Sequence, residues 1–61
     1  MIQVKLFDHE HEKDLEDEMN VFLEDIRENK IVDIKYNIAT TGEEEDDQIY
    51  CFSAMIIYKK W

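Results

Sequence analysis

The stretch QIYCFSAMIIYKK, residues 48–60, decides how the chain is built. Read with period two, it places Ile49, Cys51, Ser53, Met55 and Ile57 on one face of a strand and Tyr50, Phe52, Ala54, Ile56 and Tyr58 on the other. Both faces are apolar, which is the pattern of a strand covered on both sides and therefore central in its sheet.

The other elements are placed around that strand. Residues 31–39 also alternate, with Val32, Ile34, Tyr36 and Ile38 against Asp33, Lys35 and Asn37. A turn at Thr40, Thr41 and Gly42, followed by the acid run Glu43–Asp47, joins them to the last strand as an antiparallel hairpin. Residues 2–7 set Ile2, Val4 and Leu6 against Gln3, Lys5 and Phe7, a third strand pattern. Between them Leu15, Met19, Phe22 and Ile26, with Leu23 beside them, make one apolar stripe of a helix. Asp8 is its expected N-cap, with Glu10 and Glu12 at the positive end of the dipole. The helix is expected to run to about Glu28 or Asn29, with Arg27 and Lys30 at the negative end. A helical crossover leaves the first two strands parallel. Setting the last strand between them predicts an α+β fold: βαββ, a three-stranded antiparallel sheet in order 1-3-2, with the helix on one face and a single domain over 1–61.

One helix covers one face of a sheet. The periodicity leaves open which face of the last strand is covered, but either set is a contiguous patch of the kind monomers rarely expose. A chain of 61 residues buries only about 60% of the surface its unfolded form exposes. Its single cysteine, Cys51, excludes an internal disulfide, and small scaffolds without one commonly oligomerise. The expectation is a homo-oligomer, a dimer in its simplest form, with Tyr50, Phe52, Ile56, Tyr58 and Trp61 at the contact.

Charge narrows the partners. Sixteen Asp and Glu face seven Lys and Arg, a net charge of −9, which repels a phosphate backbone and an anionic membrane surface alike. Ten of the acids lie in residues 8–28 and five in 43–47. Helical spacing puts Asp14, Asp17, Glu24, Asp25 and Glu28 on the outer side, with Glu18 at its flank. Together with Glu43, Glu44, Glu45, Asp46 and Asp47 they form a surface suited to a protein with a basic face, such as a nucleic-acid-processing enzyme. The same pattern also serves as an ordinary solvated face.

No residue takes a catalytic or metal-ligating role. His9 and His11 are two apart, so on a helix they would point about 200° from one another, whereas the zinc motif needs i and i+4. Both are expected on the surface, His11 the more covered. Five consecutive acids lack the alternation of a calcium loop. Cys51 sits among apolar neighbours rather than the electropositive setting of a reactive thiol. With no nucleophile–base pair, a non-enzymatic protein without a cofactor is expected. No apolar run approaches 18 residues, and the first residues lack a signal-peptide core.

Four segments, VKLF (4–7), HEKDLEDEMNVFLEDI (11–26), IVDIKYNI (31–38) and YCFSAMIIYKK (50–60), resemble a family of acidic proteins of similar length. That family includes a Bacillus sporulation protein and short phage and prophage proteins, and FSAMIIY (52–58) is the most specific part of the likeness. The resemblance implies a Gram-positive bacterial or phage origin and a small non-enzymatic protein, with no catalytic residue to carry over. The bacterial cytoplasm is the expected location from the lack of a signal-peptide core and an apolar span. It supports an inhibitor of a host anti-phage defence or nucleic-acid-processing protein, and alternatively a sporulation-associated regulator. The βαββ order also resembles dodecin, which implies a third possibility, sequestration of a flavin or nucleotide at an oligomer interface. Tyr36 stands nearest to dodecin's stacking tryptophan, with Tyr50, Tyr58 and Trp61 as the other aromatic candidates.

Overall fold

A computed structural model of the chain describes residues 1–41 and 49–60. The acid run Glu43–Asp47 and Trp61 lie outside the described residues. Strand β1 (Ile2–His9) leads into helix α1 (Glu12–Glu24). A short 3-10 turn (Glu28–Lys30) follows, then β2 (Ile31–Thr41) and β3 (Ile49–Lys59). The strands form one sheet in the order β1-β3-β2, with both pairings antiparallel. The doubly apolar stretch is thus the central strand, as its pattern predicts.

The register settles which face the helix covers. Phe7 stands opposite Ala54, and these two join Leu15 and Ile56 as the buried core. The covered side of β3 is therefore Phe52, Ala54, Ile56 and Tyr58. Met19, Phe22, Leu23, Ile31, Phe52 and Tyr58 pack around the core from its edges. Ala54 is the smallest side chain on that side of β3, which leaves room for Phe7 and Leu15 beneath the helix. The Tyr58 hydroxyl donates to Gln3 Oε1 at 3.2 Å, tying β3 to β1 on the same side.

Three local expectations are corrected. The strand β1 runs on to His9, opposite Phe52, so Asp8 pairs with Ser53 in the ladder and does not cap the helix. His11 is the N-cap instead and makes no side-chain capping hydrogen bond. The helix stops at Glu24 with Asp25 as its C-cap and no basic residue in its last turn. Carboxylates at the negative end of the dipole oppose further propagation, and Glu28 and Lys30 fall in the separate turn. In β2 a bulge sets Ile31 opposite Tyr58 but Asp33 opposite Ile57. The extra residue reverses the alternation, so Ile31, rather than Val32, packs against the core.

Candidate functional site

The structure presents two chemically different surfaces. The first is acidic. Asp14, Asp17, Glu18 and Glu24 on α1, Asp25 at its C-cap and Glu28 in the turn beyond are all exposed, as the helical spacing predicts. They are not equivalent. The Lys13 ammonium lies 3.0 Å from Glu16 and 3.1 Å from Asp17. Its hydrogen bonds to Glu16 and then Asp17 raise the Lys13 pKa above its usual value. Glu18 meets the His9 ring across the gap from α1 to β1. Asp17 and Glu18 are thus engaged within the chain. Among the described residues, Asp14, Glu24, Asp25 and Glu28 make no ion pair and leave their carboxylates open to a partner. The five further acids expected on this surface, Glu43 to Asp47, are outside the described residues.

His9 and His11 reverse their expected exposure. His9 is half-buried on the helix side of β1 and His11 is exposed at the helix start. The cause is the longer β1, which holds His9 in the strand. Among the described residues no group of three or more His, Cys, Asp or Glu side chains is placed to hold a metal ion. No helix among them is long and apolar enough to cross a membrane.

The second surface is apolar. Because Phe7 and Ile56 face the helix, Ile2, Val4 and Leu6 on β1 and Met55 and Ile57 on β3 face the other way. Leu6 is 69% exposed, Ile2 55% and Val4 52%. This differs from the contact set expected from sequence. Ile56 is fully buried, Phe52 and Tyr58 are half-buried against the core, and Tyr50, at 47% exposure, stacks on Phe52 with centroids 6.3 Å apart. Ile56 is engaged in the protomer's own core and offers nothing to a second chain. Sequence reasoning left Ile2, Val4 and Leu6 unassigned. The available signal was aromatic: Phe7, Phe52 and Tyr58 all share one side and Phe22 lies in the helix stripe. Rings of that size stabilise most when buried together.

Tyr36, the expected stacking residue, lies on β2 beside the helix and is 56% exposed. It closes a groove of about 520 Å³ with Leu15, Met19 and Leu23, rimmed by Glu12, Lys13 and Glu16. Two carboxylates on that rim are the wrong charge for the phosphate of a nucleotide. Cys51 is a half-buried free thiol on β3, opposite Ala39.

Comparison with known proteins adds the family. The family described as Sporulation protein Cse60 matches residues 1–60. A sporulation protein of that name from Bacillus subtilis (strain 168) is 48% identical over 60 residues, which cover 98% of this chain and 100% of the relative. No solved structure matches the chain.

Proposed function

The chain belongs to the Sporulation protein Cse60 family, and from that premise we propose that it is a non-catalytic binding protein of sporulating cells. It self-associates and offers its acidic helix to a protein with a basic surface. The family favours this sporulation-associated role over the phage-inhibitor role. One observation carries the binding mechanism. The open carboxylates Asp14, Glu24, Asp25 and Glu28 lie on the helix side, while Ile2, Val4 and Leu6 lie exposed together on the opposite side of the sheet. A surface divided this way can hold an assembly together on one side and attract a cationic partner on the other.

The site of action in this reading is the bacterial cytoplasm, and the partner class is a protein whose basic face normally meets nucleic acid. The test is capture from sporulating Bacillus cells with the immobilised protein, washed at rising salt. A specific partner should be lost steeply as salt rises, because exposed charges more than about 10 Å apart are screened at 0.1 M. It should not be captured by a variant carrying Asp14→Asn, Glu24→Gln, Asp25→Asn and Glu28→Gln. Capture that ignores both changes would overturn the acidic mechanism. Capture of a host defence protein instead would return the phage-inhibitor role.

A further inference from the structure

We propose that a second copy of this chain packs on the uncovered face of the sheet, with Val4, Leu6, Met55 and Ile57 at the centre of the contact. The inference rests on the self-association named above and gives it a surface.

Three observations carry it. The first is chemistry. Val4 stands opposite Ile57 and Leu6 opposite Met55 in the β1–β3 ladder, so four aliphatic side chains form one continuous block facing away from the helix. Among the described residues Leu6 is the most exposed large apolar side chain after Met1.

The second is charge. By register the same face carries Asp8 and Asp33 against Lys35 and Lys59, and Asp33 and Lys35 already pair at 3.3 Å. Among the described residues that face is electrically balanced, in a chain of net charge −9. Two copies meeting through their helices would instead set acid rows against one another, which costs binding energy.

The third is size and shape. The Cα frame measures 46 × 18 × 10 Å, so its broad side holds the roughly 800 Å² that each partner gives a stable interface when the second copy covers most of it. Open sheets of this kind pack face to face about 10 Å apart. The small Ser53 also leaves a depression of about 580 Å³, bordered by Asp8 and Asn37 beside it and by Leu6, Met55 and Lys35 in the next row of the ladder. A side chain that projects as Leu6 does, supplied by the second copy, suits such a hollow.

The test is sedimentation velocity of the full chain over a range of concentrations, with Leu6→Lys and Ile38→Lys compared. Both positions are exposed in the protomer, and circular dichroism checks that each variant folds. Ile38 lies on the helix side of β2, opposite Phe52. The expected result is a dimer that Leu6→Lys weakens by roughly a hundredfold, as for a residue at the centre of an interface, and that Ile38→Lys leaves within about threefold. A wild-type chain that stays monomeric would overturn the proposal. So would a dimer that survives Leu6→Lys, or one that Ile38→Lys breaks instead. A monomer with salt-sensitive capture of a partner overturns this inference and the self-association it rests on, and leaves the acidic docking role standing. A dimer that survives Leu6→Lys overturns the assigned face alone. A dimer without such capture overturns the partner role alone.

Discussion

Phe22 meets Tyr58 edge-on, with ring centroids 5.3 Å apart and planes at 68°. The same ring meets Phe7 at 6.0 Å and 70°. A single helix side chain therefore spans β1 and β3, the two strands on which α1 rests. With only four buried side chains in the core of the described residues, this fastening is a large share of what holds the helix down. Aromatic pairs of this geometry contribute about 0.5–1.5 kcal/mol beyond their buried area.

Phe22→Ala should therefore destabilise the fold by about 3 kcal/mol, the lower end for a phenylalanine truncation because the ring is half-buried. In a domain of this size the melting temperature should fall by more than 10 °C, at about 4–8 °C per kcal/mol. Urea denaturation at fixed protein concentration is the measurement, since self-association makes apparent stability depend on concentration. A loss below about 1 kcal/mol would show that the helix is held elsewhere.

Ala54 and Ser53 are neighbours in β3 with opposite tolerances. Ala54 is buried under the helix opposite Phe7, and Ala54→Leu should cost about 1–3 kcal/mol by overpacking. Ser53 faces the uncovered side, and its hydroxyl donates to the Asn37 carbonyl at 3.4 Å. At low protein concentration, where the monomer dominates, Ser53→Ala should stay within about 0.5 kcal/mol of wild type. Thermal melts of the two variants side by side check the assignment of faces, and a reversed order would contradict it.

The topology was legible because β3 alone has two apolar faces, and that pattern admits one place in a three-stranded sheet. The outward direction of Asp14, Asp17 and Glu24 was legible because helical spacing fixes it, whereas Asp25 and Glu28 are exposed past the end of the helix. Element boundaries were not. Asp8 is as good an N-cap as any residue, but the β1 ladder took it first, and no local preference announces that outcome. The bulge at Val32 is likewise invisible to period two, which assigned Val32 the place that Ile31 holds. Choosing the covered side of β3 required weighing whole faces, since each side of the strand is apolar on its own terms. That choice moved the expected contact from Phe52 and Ile56 to Val4 and Leu6.

Asp33 gives a pH signature. The Ile34 amide donates to its Oδ1 at 2.8 Å and Lys35 lies 3.3 Å from its Oδ2. The amide first, then Lys35, holds its pKa below the usual 3.8. A carboxylate with a depressed folded-state pKa stabilises fully above the unfolded value, and that contribution is lost as pH falls through the folded value. The melting temperature of wild type minus that of Asp33→Asn should therefore be constant near neutrality. It should shrink below pH 3.8. Because Asp33 is exposed, added salt should reduce its ion-pair part. A difference that persists unchanged at pH 2 would assign the effect to packing.

The acidic helix should show opposed effects on stability and binding. Asp14, Glu24, Asp25 and Glu28 have no basic partner among the described residues, and Glu24 and Asp25 sit at the negative end of the helix dipole. Each such charge costs about 0.3–1 kcal/mol at low ionic strength, and like charges along one helix add repulsion. Neutralising Glu24, Asp25 and Glu28 should therefore raise the melting temperature at low salt, by a few degrees. Neutralising Asp14 gives part of that gain back, because Asp14 sits in the first turn, where the dipole favours its charge. The net gain should fade above 0.5 M salt as screening replaces it. If the acids serve only solubility, that gain comes with no loss of binding. If they dock a basic partner, the stabilised variant fails to capture it. Calorimetry of the variant at two salt concentrations, paired with capture from sporulating cells, separates the two cases. A variant that is more stable and still binds would remove the helix from the docking surface.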